Sequence, residues 1–441
     1  MNHVESFRHM EKGFSLGQAM EEASRCLLCH DAPCSKGCPA GTDPGTFIRK
    51  LAFKNVTGAI RTIKRNNILG GACGVLCPTA RLCEKECSAT AIDRPIRIGM
   101  IQRGLVEHAW QTGFQPLDKP TPNGRKIAVV GSGPGGLSCA AELAQAGFRV
   151  TVFEARPEPG GVLRYGVPAY RFSLDFLNRE LEDVRYLGVE FKCHTRIEGQ
   201  AGAEKLLETG HQAVFLAPGL WGAVRLKPEA GALAGFYSSV DYLSALRDGR
   251  FEQVAEEVRD RTVAVIGGGS VAMDCVESAV KLGAKDVYLV YRRSYSQMPA
   301  ETDERIRVQQ AGVHFLLLNQ PTDYLADGKK IKGLKVVRTR LADPDESGRR
   351  RPVNIPGSEW TLEADVVVEA IGNEPEPGSA EWYPHVRRNQ KNLIVADPET
   401  GLTSVKGIYA GGDIVRGPAL VVTAVQDGKA AARAIASSLK K

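Results

Sequence analysis

No stretch of this sequence approaches the roughly 18 continuous apolar residues that a membrane-spanning helix needs. Its first 30 residues also lack the apolar core of a secretory signal peptide. A cytoplasmic setting is expected on both counts. Excess charge is scarce: 57 basic against 51 acidic residues leave a formal +6 on 441 residues. That is too little to make nucleic acid or a membrane surface a main partner. The basic triplet Arg349–Arg351 stands in a Pro/Asp/Gly-rich stretch and reads as a solvated loop. The chain shows no Ser-His-Asp set, no paired-carboxylate arrangement and no activated nucleophile. Cysteine is nearly missing from most of the length. Of eleven, only Cys139, Cys193 and Cys275 lie beyond residue 87, and they read as small buried hydrophobes. Such crowding does not suit the disulfide framework of a secreted protein and fits a reducing cytosol.

What is present is concentrated at the N-terminal end. Eight cysteines form the runs Cys26-x2-Cys29-x4-Cys34-x3-Cys38 and Cys73-x3-Cys77-x5-Cys83-x3-Cys87. Thiolates at this density hold soft metal. Mononuclear zinc is the plain alternative, but it usually takes two short Cys knuckles or added histidines. The spacings here are uneven and His30 is the only histidine nearby. Two iron–sulfur clusters are the expected content. Spacing alone leaves the pairing open, because ligands often cross over between two-cluster runs. Residues 1–115 read as a mostly helical segment with few large apolar side chains, so bound metal is expected to supply much of its folding free energy. Glu21–Leu28 and Pro44–Asn66 have helical spacing.

At this length about three domains are expected. A Pro/Gly/Lys-rich linker, Gln115–Arg125, leads to a change of texture. Lys126–Gly131 reads as a short buried strand, followed by the turn Gly131-Ser-Gly133-Pro134-Gly-Gly136, a helix through Ala146 and a second strand, Phe148–Glu154. This is a βαβ nucleotide unit: Gly131 makes the tight turn, Gly133 lets a pyrophosphate approach the backbone, and Gly136 lets helix and strand pack. Glu154 is placed to accept from ribose hydroxyls. Pro159-Gly-Gly161 with Arg164 follows as a flexible backbone suited to lie against a flat ring system, and Asp413 after Gly412 is placed to accept from a ribityl chain.

The pattern returns at Thr262–Ile266, with the turn Gly267-Gly-Gly269-Ser270-Val-Ala272, a helix over Met273–Leu282 and a strand over Asp286–Tyr291. No acid closes that strand. Arg292 and Arg293 stand there instead, where arginine accommodates a 2′-phosphate, so the residues lean to NADP. Two strand-to-glycine ends, Ala213–Gly219 and Asp365–Gly372, imply that the chain returns to its first nucleotide domain before the final helix, expected over Val422–Ser437. The expected fold is α/β: a helical two-cluster domain over 1–115, a flavin domain over 120–245 and 374–441, and a nicotinamide domain over 246–373 inserted into it. A flavin can take two electrons together and release them singly, and clusters take one each. The chain therefore reads as a device for splitting hydride pairs, with no visible third site for reducing a substrate.

The cysteine region, both glycine turns and the Gly411-Gly-Asp413 end together resemble one family over nearly the whole chain. It comprises the small subunits of bacterial glutamate synthase and the N-terminal half of dihydropyrimidine dehydrogenase, including its stand-alone NAD-dependent form of the PreT type. The stretch from Glu22 through Cys26, Cys29 and Cys34, with Thr42-Asp-Pro44 and Cys77-Pro-Thr-x-x-Leu-Cys83, carries the likeness. The resemblance implies one 4Fe-4S cluster on Cys26, Cys29, Cys34 and Cys87, and a second on Cys38, Cys77, Cys83 and the side chain of Gln102. Cys73 is then a spare thiol. It also implies FAD on the first glycine turn and NAD on the second, against the NADP that Arg292 and Arg293 favour. A partner subunit with FMN, further clusters and the pyrimidine site is implied, in a hetero-oligomer that reduces uracil or thymine. A glutamine-dependent partner, as in glutamate synthase, and a partnerless diaphorase or ferredoxin reductase are the alternatives.

Overall fold

The computed structural model describes residues 7–199, 202–344 and 348–440. It resolves into two compact units. One takes up Met10–Arg164, Arg171–Leu220 and the chain from Pro375 onward. The other takes Trp221–Glu374 and Tyr165–Tyr170, with the described N-terminal residues through His9.

The first unit opens with short helices. Leu16–Ser24 is capped by Ser15, which exchanges hydrogen bonds with Gln18. Pro44–Ala52 and Val56–Asn66 are two helices rather than the one continuous element expected over 44–66. The break comes at Phe53–Asn55, where Lys54 takes φ +61° and Asn55 caps the next helix on the Gly58 amide. Ile98–Thr112 is the longest helix of this part and ends at Gly113 in the left-handed region. Its core is made of modest side chains such as Ala19, Phe47, Ile60, Ile63 and Ile101, with Cys26, Cys34 and Cys87 packed against it. No helix or strand falls over Gln115–Arg125, as a linker requires.

Beyond the linker lies a five-stranded parallel sheet in the order Ile408–Ala410, Ala213–Leu216, Lys126–Val130, Arg149–Phe153, Glu190–Lys192. The sequences Ile-Ala-Val-Val and Val-Thr-Val-Phe are buried along their length, as strands covered on both faces must be. The helix Pro134–Gln145 starts inside the glycine turn and packs against the final helix, which runs over Val421–Lys440.

The second unit repeats the scheme with Phe236–Ser238, Val366–Glu369, Thr262–Ile266, Asp286–Tyr291 and His314–Leu317, all parallel. An antiparallel sheet of Asn319–Asp327, Lys330–Pro344, Arg350–Asn354 and Trp360–Glu363 is added to it. The strand Ile408–Ala410 rejoins the first sheet after the second has been completed, so one nucleotide fold is inserted in the other. The changeover falls at Trp221 rather than 246, because Phe236–Ser238 pairs with Val366–Glu369 and Ser239–Ala245 packs on the same sheet. Phe7 also departs from the helical segment: it is fully buried in the second unit's core, edge-on to Tyr170 at 5.4 Å. Arg350 and Arg351 are exposed as expected, but they begin a strand rather than lie in a loop. Among the described residues no helix is long and apolar enough to cross a membrane.

Candidate redox centre

The eight N-terminal thiols gather into two neighbouring groups. Cys26 follows the helix Leu16–Ser24, Cys34 sits in the short helix Pro33–Lys36, and Cys87 precedes the turn Ser88–Ala91. Burial pushes the Cys34 thiol up to about 11, with the nearby Cys87, Cys26 and Cys29 adding to the shift. Cys26 is raised in the same way, by burial and then by Cys87 and Cys29, while the Leu28 amide and Arg49 work against it. Cys26, Cys29, Cys34 and Cys87 thus lie near enough to act on one another electrostatically. Arg49 braces this group by donating to the Cys29 carbonyl at 2.7 Å, and the Ile96 amide donates to Cys87 Sγ at 3.4 Å.

A cavity beside them is lined by Cys38, Cys73, Cys77, Cys83 and Gln102, with Thr42 and Val422. Cys77 is raised well above the usual thiol range by its hydrogen bond to Cys73, by burial, and by Cys38 and Cys83. Cys83 is raised by burial first and then by Cys38. Gln102 is 6% exposed and its Nε2 donates to the Gly70 carbonyl at 2.5 Å, which fixes the plane of the amide. Cys38, Cys77, Cys83 and Gln102 are therefore brought together, and Cys73 lines the same space. Asn67 holds Cys73 Sγ at 3.3 Å and Thr42 Oγ1 at 3.1 Å. Nothing in the local sequence singles out Asn67 for that position. Thiols crowded together and partly or wholly withdrawn from water resist ionising. Among the described residues no three Cys, His, Asp or Glu side chains converge tightly enough for a single ion.

A buried charge cluster supports this region from behind. Lys64 Nζ, 1% exposed, meets Glu180 Oε2 at 2.7 Å and Asp183 Oδ2 at 2.8 Å. Glu180 Oε1 accepts from the Ala72 amide at 2.9 Å, one residue before Cys73.

The first glycine turn sits at the C-terminal edge of its sheet. Gly131 has φ +94°, and a Cβ there would come within 2.2 Å of the Ala217 carbonyl. A Cβ on Gly136 would lie 2.0 Å from the Gly131 carbonyl oxygen. Gly133, in contrast, faces open space, and Pro134 starts the helix behind it. Gly161 rests on Gly133, since its Cβ would fall 2.6 Å from the Gly133 Cα. Glu154 is turned back onto this turn: Oε2 accepts from the Ser132 amide at 3.0 Å and from the Ser132 hydroxyl, and Oε1 from the Arg156 amide at 2.8 Å. Arg164 braces the loop through the Pro159 carbonyl and Asn178, both at 2.7 Å. Gly219 follows the strand Ala213–Leu216, and Gly412 and Asp413 follow Ile408–Ala410, so all these pieces meet at one sheet edge. Burial pushes the Asp413 carboxyl up to about 6; the Ala419 amide opposes the shift and Asp427 adds to it. A cradle with an open glycine in its floor and close-packed glycines around it fits a dinucleotide pyrophosphate.

The second turn has the same form. Gly267 has φ +147° and abuts the Ala370 carbonyl, while a Cβ on Gly269 would make only an ordinary contact with Pro299 at 3.8 Å, and Ser270 begins the helix Ser270–Lys281. Ala272 takes the packing position, its Cβ 3.2 Å from the Cβ position of Gly267. Arg292 and Arg293 part company. Arg292 is exposed at the strand end. Arg293 is 5% exposed and its Nε donates to the Arg350 carbonyl at 2.9 Å.

Comparison with known proteins bears on both parts. Residues 3–114 match the family described as dihydropyrimidine dehydrogenase domain II, 4Fe-4S cluster. Residues 125–428 match the pyridine nucleotide-disulphide oxidoreductases. The chain is 35% identical to the NAD-dependent dihydropyrimidine dehydrogenase subunit PreT of Salmonella typhimurium, over 96% of its length and 95% of that protein. It is 34% identical to the small chain of NADPH glutamate synthase from Escherichia coli, over 98% and 94%. It is also 35% identical to the beta subunit of the NADP(+)-dependent formate dehydrogenase of Moorella thermoacetica, of which it spans only 60%. Among solved structures, FprA of Mycobacterium tuberculosis in complex with NADPH has the same fold, with TM-score 0.61 at 20% identity over 72% of this chain and 84% of that one. Thioredoxin reductase of T. acidophilum aligns over 72% of this chain and all of its own, with TM-score 0.55 at 19% identity.

Proposed function

Since the chain belongs to the pyridine nucleotide-disulphide oxidoreductase family and is an NAD(P)-dependent flavin and iron–sulfur oxidoreductase, we propose that it is the electron-input subunit of a dihydropyrimidine dehydrogenase. In this reading NAD(P)H binds the unit with the second glycine turn, through Gly267, Gly269, Ser270, Ala272 and Arg292. FAD binds the first turn, through Gly131, Gly133, Pro134, Gly136, Gly161, Gly219, Gly412 and Asp413. Glu154 and Arg164 hold the loops of that cradle in shape. One 4Fe-4S cluster is assigned to Cys26, Cys29, Cys34 and Cys87. A second goes to Cys38, Cys77, Cys83 and Gln102. When bound, the flavin supplies the conversion of a two-electron hydride into single electrons, and the clusters supply a path for them.

The chain's own residues bind, orient and insulate. Gly133, which faces open space, and Gly269, where a Cβ would meet only Pro299 at 3.8 Å, let pyrophosphates approach two helix N-termini, where backbone N–H groups and the helix dipole favour negative charge. The cysteine ligands would bind iron as thiolates, releasing their protons. Arg49, Asn67 and the Gly70 carbonyl hold Cys29, Cys73 and Gln102 in place.

The observation that carries the reading is Gln102 on the wall of the cavity lined by Cys38, Cys77 and Cys83. Cys73 also lines this cavity but is engaged by Asn67, so the uncharged amide, which has no use in a zinc knuckle, would complete a site of three thiolates. Gln102→Leu is expected to change the electron paramagnetic resonance of one cluster and leave the other intact; an unaltered spectrum refutes the assignment. The destination of the electrons is tested by co-purification. The proposed partner carries FMN and further clusters and reduces uracil or thymine to the 5,6-dihydro product. Capture of a glutamine-dependent partner instead identifies a glutamate synthase small subunit. That second reading draws on the exposed Arg292, which suits NADPH, and on a relative at 34% identity, against 35% for the PreT subunit, that is named for NADPH.

A further inference from the structure

Lys429 lies on the final helix, Val421–Lys440, far in sequence from any cysteine. Val422, on the same helix, lines the cavity of Cys38, Cys77, Cys83 and Gln102. Seven residues are two turns, so Lys429 lies on the same helix face as Val422. Its side chain is 6% exposed, and Nζ donates to the carbonyls of Ala40 and Asn66. Those two carbonyls, one after Cys38 and one at the end of the helix Val56–Asn66, belong to segments that lead to the cavity's thiols. Ala40 stands two residues after Cys38, and Asn66 adjoins Asn67, which holds Cys73 Sγ at 3.3 Å. Burial lowers the Lys429 pKa; among the charges around it Glu142 is the first to oppose that shift, Arg433 adds to it, and the Cys38 and Cys73 thiols, close enough to act on the ammonium, oppose it as well. Lys64, the other buried lysine of this region, is matched by Glu180 and Asp183. Lys429 forms no ion pair among the described residues, and its direct acceptors are neutral carbonyls. The neighbouring Gly428 is pressed on the first nucleotide helix, where a Cβ would lie 2.2 Å from the Gly135 carbonyl. The lysine's position is thus fixed by the packing of the nucleotide-binding fold itself.

We propose that Lys429 is a positioning residue that raises the reduction potential of the cluster held by Cys38, Cys77, Cys83 and Gln102, and so draws electrons from the flavin toward it. The inference rests on the iron–sulfur reading above. Reduction adds one electron, drawn from NAD(P)H through the flavin, and no bond is made or broken. A cluster on three thiolates and a neutral amide becomes more negative by one charge on reduction. A buried cation beside it favours that state, because low-dielectric surroundings screen the attraction weakly. Net charge and hydrogen bonding near the sulfurs are among the factors that set cluster potentials.

The test is a redox titration of the full-length protein, anaerobically purified and followed by electron paramagnetic resonance, for wild type, Lys429→Met, Lys429→Gln and Lys429→Arg. Iron and acid-labile sulfide are measured on each. Lys429→Met is expected to keep its iron and sulfide and to shift one cluster to lower potential, by about tenfold in the equilibrium constant or ~59 mV for one electron. Lys429→Arg is expected to stay near wild type. Full clusters with unchanged midpoints in Lys429→Met overturn the proposal. Loss of iron from both Lys429→Met and Lys429→Gln also overturns it, since the lysine is then a clamp on the loops of Ala40 and Asn66. Wild-type protein without acid-labile sulfide overturns the iron–sulfur reading itself.

Discussion

Lys64→Met should be among the most damaging single changes outside the ligands. The lysine is 1% exposed between Glu180 at 0% and Asp183 at 9%. Burial acts to lower its pKa, but the charges and hydrogen bonds of Asp183 and Glu180 outweigh burial and hold it above the ordinary ammonium value. Burial pushes the Glu180 carboxyl up despite Lys64 and the Ala72 amide. Both shifts are upward, which favours the charged lysine but disfavours the charged carboxylate, because one ammonium faces two carboxylates whereas each carboxylate has only a share of one ammonium. Methionine fills the space of the stem and leaves two buried acids without their cation. Breaking a buried pair in this way costs about 3–5 kcal/mol. At roughly 2 °C per kcal/mol for a large domain, thermal unfolding of this unit should fall by about 6 °C or more. Tryptophan fluorescence is the assay, because Trp110 Nε1 lies 3.5 Å from Asp183 Oδ2. Glu180 also holds the Ala72 amide, so iron content at purification should fall with stability. The double variant Lys64→Met/Glu180→Gln should recover a large part of the loss, since neutral groups can be buried more cheaply than orphaned charges. In wild type the lysine's contribution is present below about pH 10.4 and fades as pH rises through its higher folded value; Lys64→Met should lack that alkaline transition. A loss under 1 kcal/mol in the single variant, or a double variant no better than the single, refutes the reasoning.

Three further outcomes are expected. Gly133→Ala and Gly136→Ala should both lower flavin content, read from visible absorbance. Only Gly136→Ala should also destabilise the flavin-free protein, by about 1–3 kcal/mol or more, because its methyl meets the Gly131 carbonyl oxygen at 2.0 Å while Gly133 faces open space. Equal stability of the two variants would contradict that. Arg292→Ala should cut kcat/KM for NADPH about tenfold relative to NADH, and a parallel fall with both nicotinamides would remove the 2′-phosphate role. Asp413→Asn should gain on wild type as pH rises. The Asp413 carboxyl is raised to about 6, so its favourable contribution is complete below its unfolded value near 3.9 and is lost through pH 6. Urea midpoints at pH 5 and pH 7.5 measure the difference, and a gap that does not widen at the higher pH rejects it.

The local order of this protein is written locally. Lys126–Val130, Thr262–Ile266 and Asp286–Tyr291 are apolar runs followed by glycine or arginine, and each forms a strand over the expected residues. The two glycine turns follow from backbone sterics, because only glycine accepts the φ of Gly131 and Gly267 and the closeness of the neighbouring carbonyls. Thiol content and its density were likewise plain in the sequence. Harder to read were the pieces whose partners lie far away. The helix break at Phe53–Asn55 and the start of the second unit at Trp221 depend on caps and strand pairing that spacing does not express.

Tertiary packing decided which side chains meet. It brings Cys87 to Cys34, sets Gln102 on the cavity wall and carries Lys429 from the last helix to the loops of Ala40 and Asn66. It also separates Arg292 from Arg293, two identical neighbours in the bend after Asp286–Tyr291: one is exposed and the other is buried on the Arg350 carbonyl. Sequence by itself determined that two nucleotide turns and a thiol-rich segment exist, since these depend on residues close along the chain. Their assembly into centres came from folding, since contact between residues hundreds of positions apart is a property of packed layers and not of spacing.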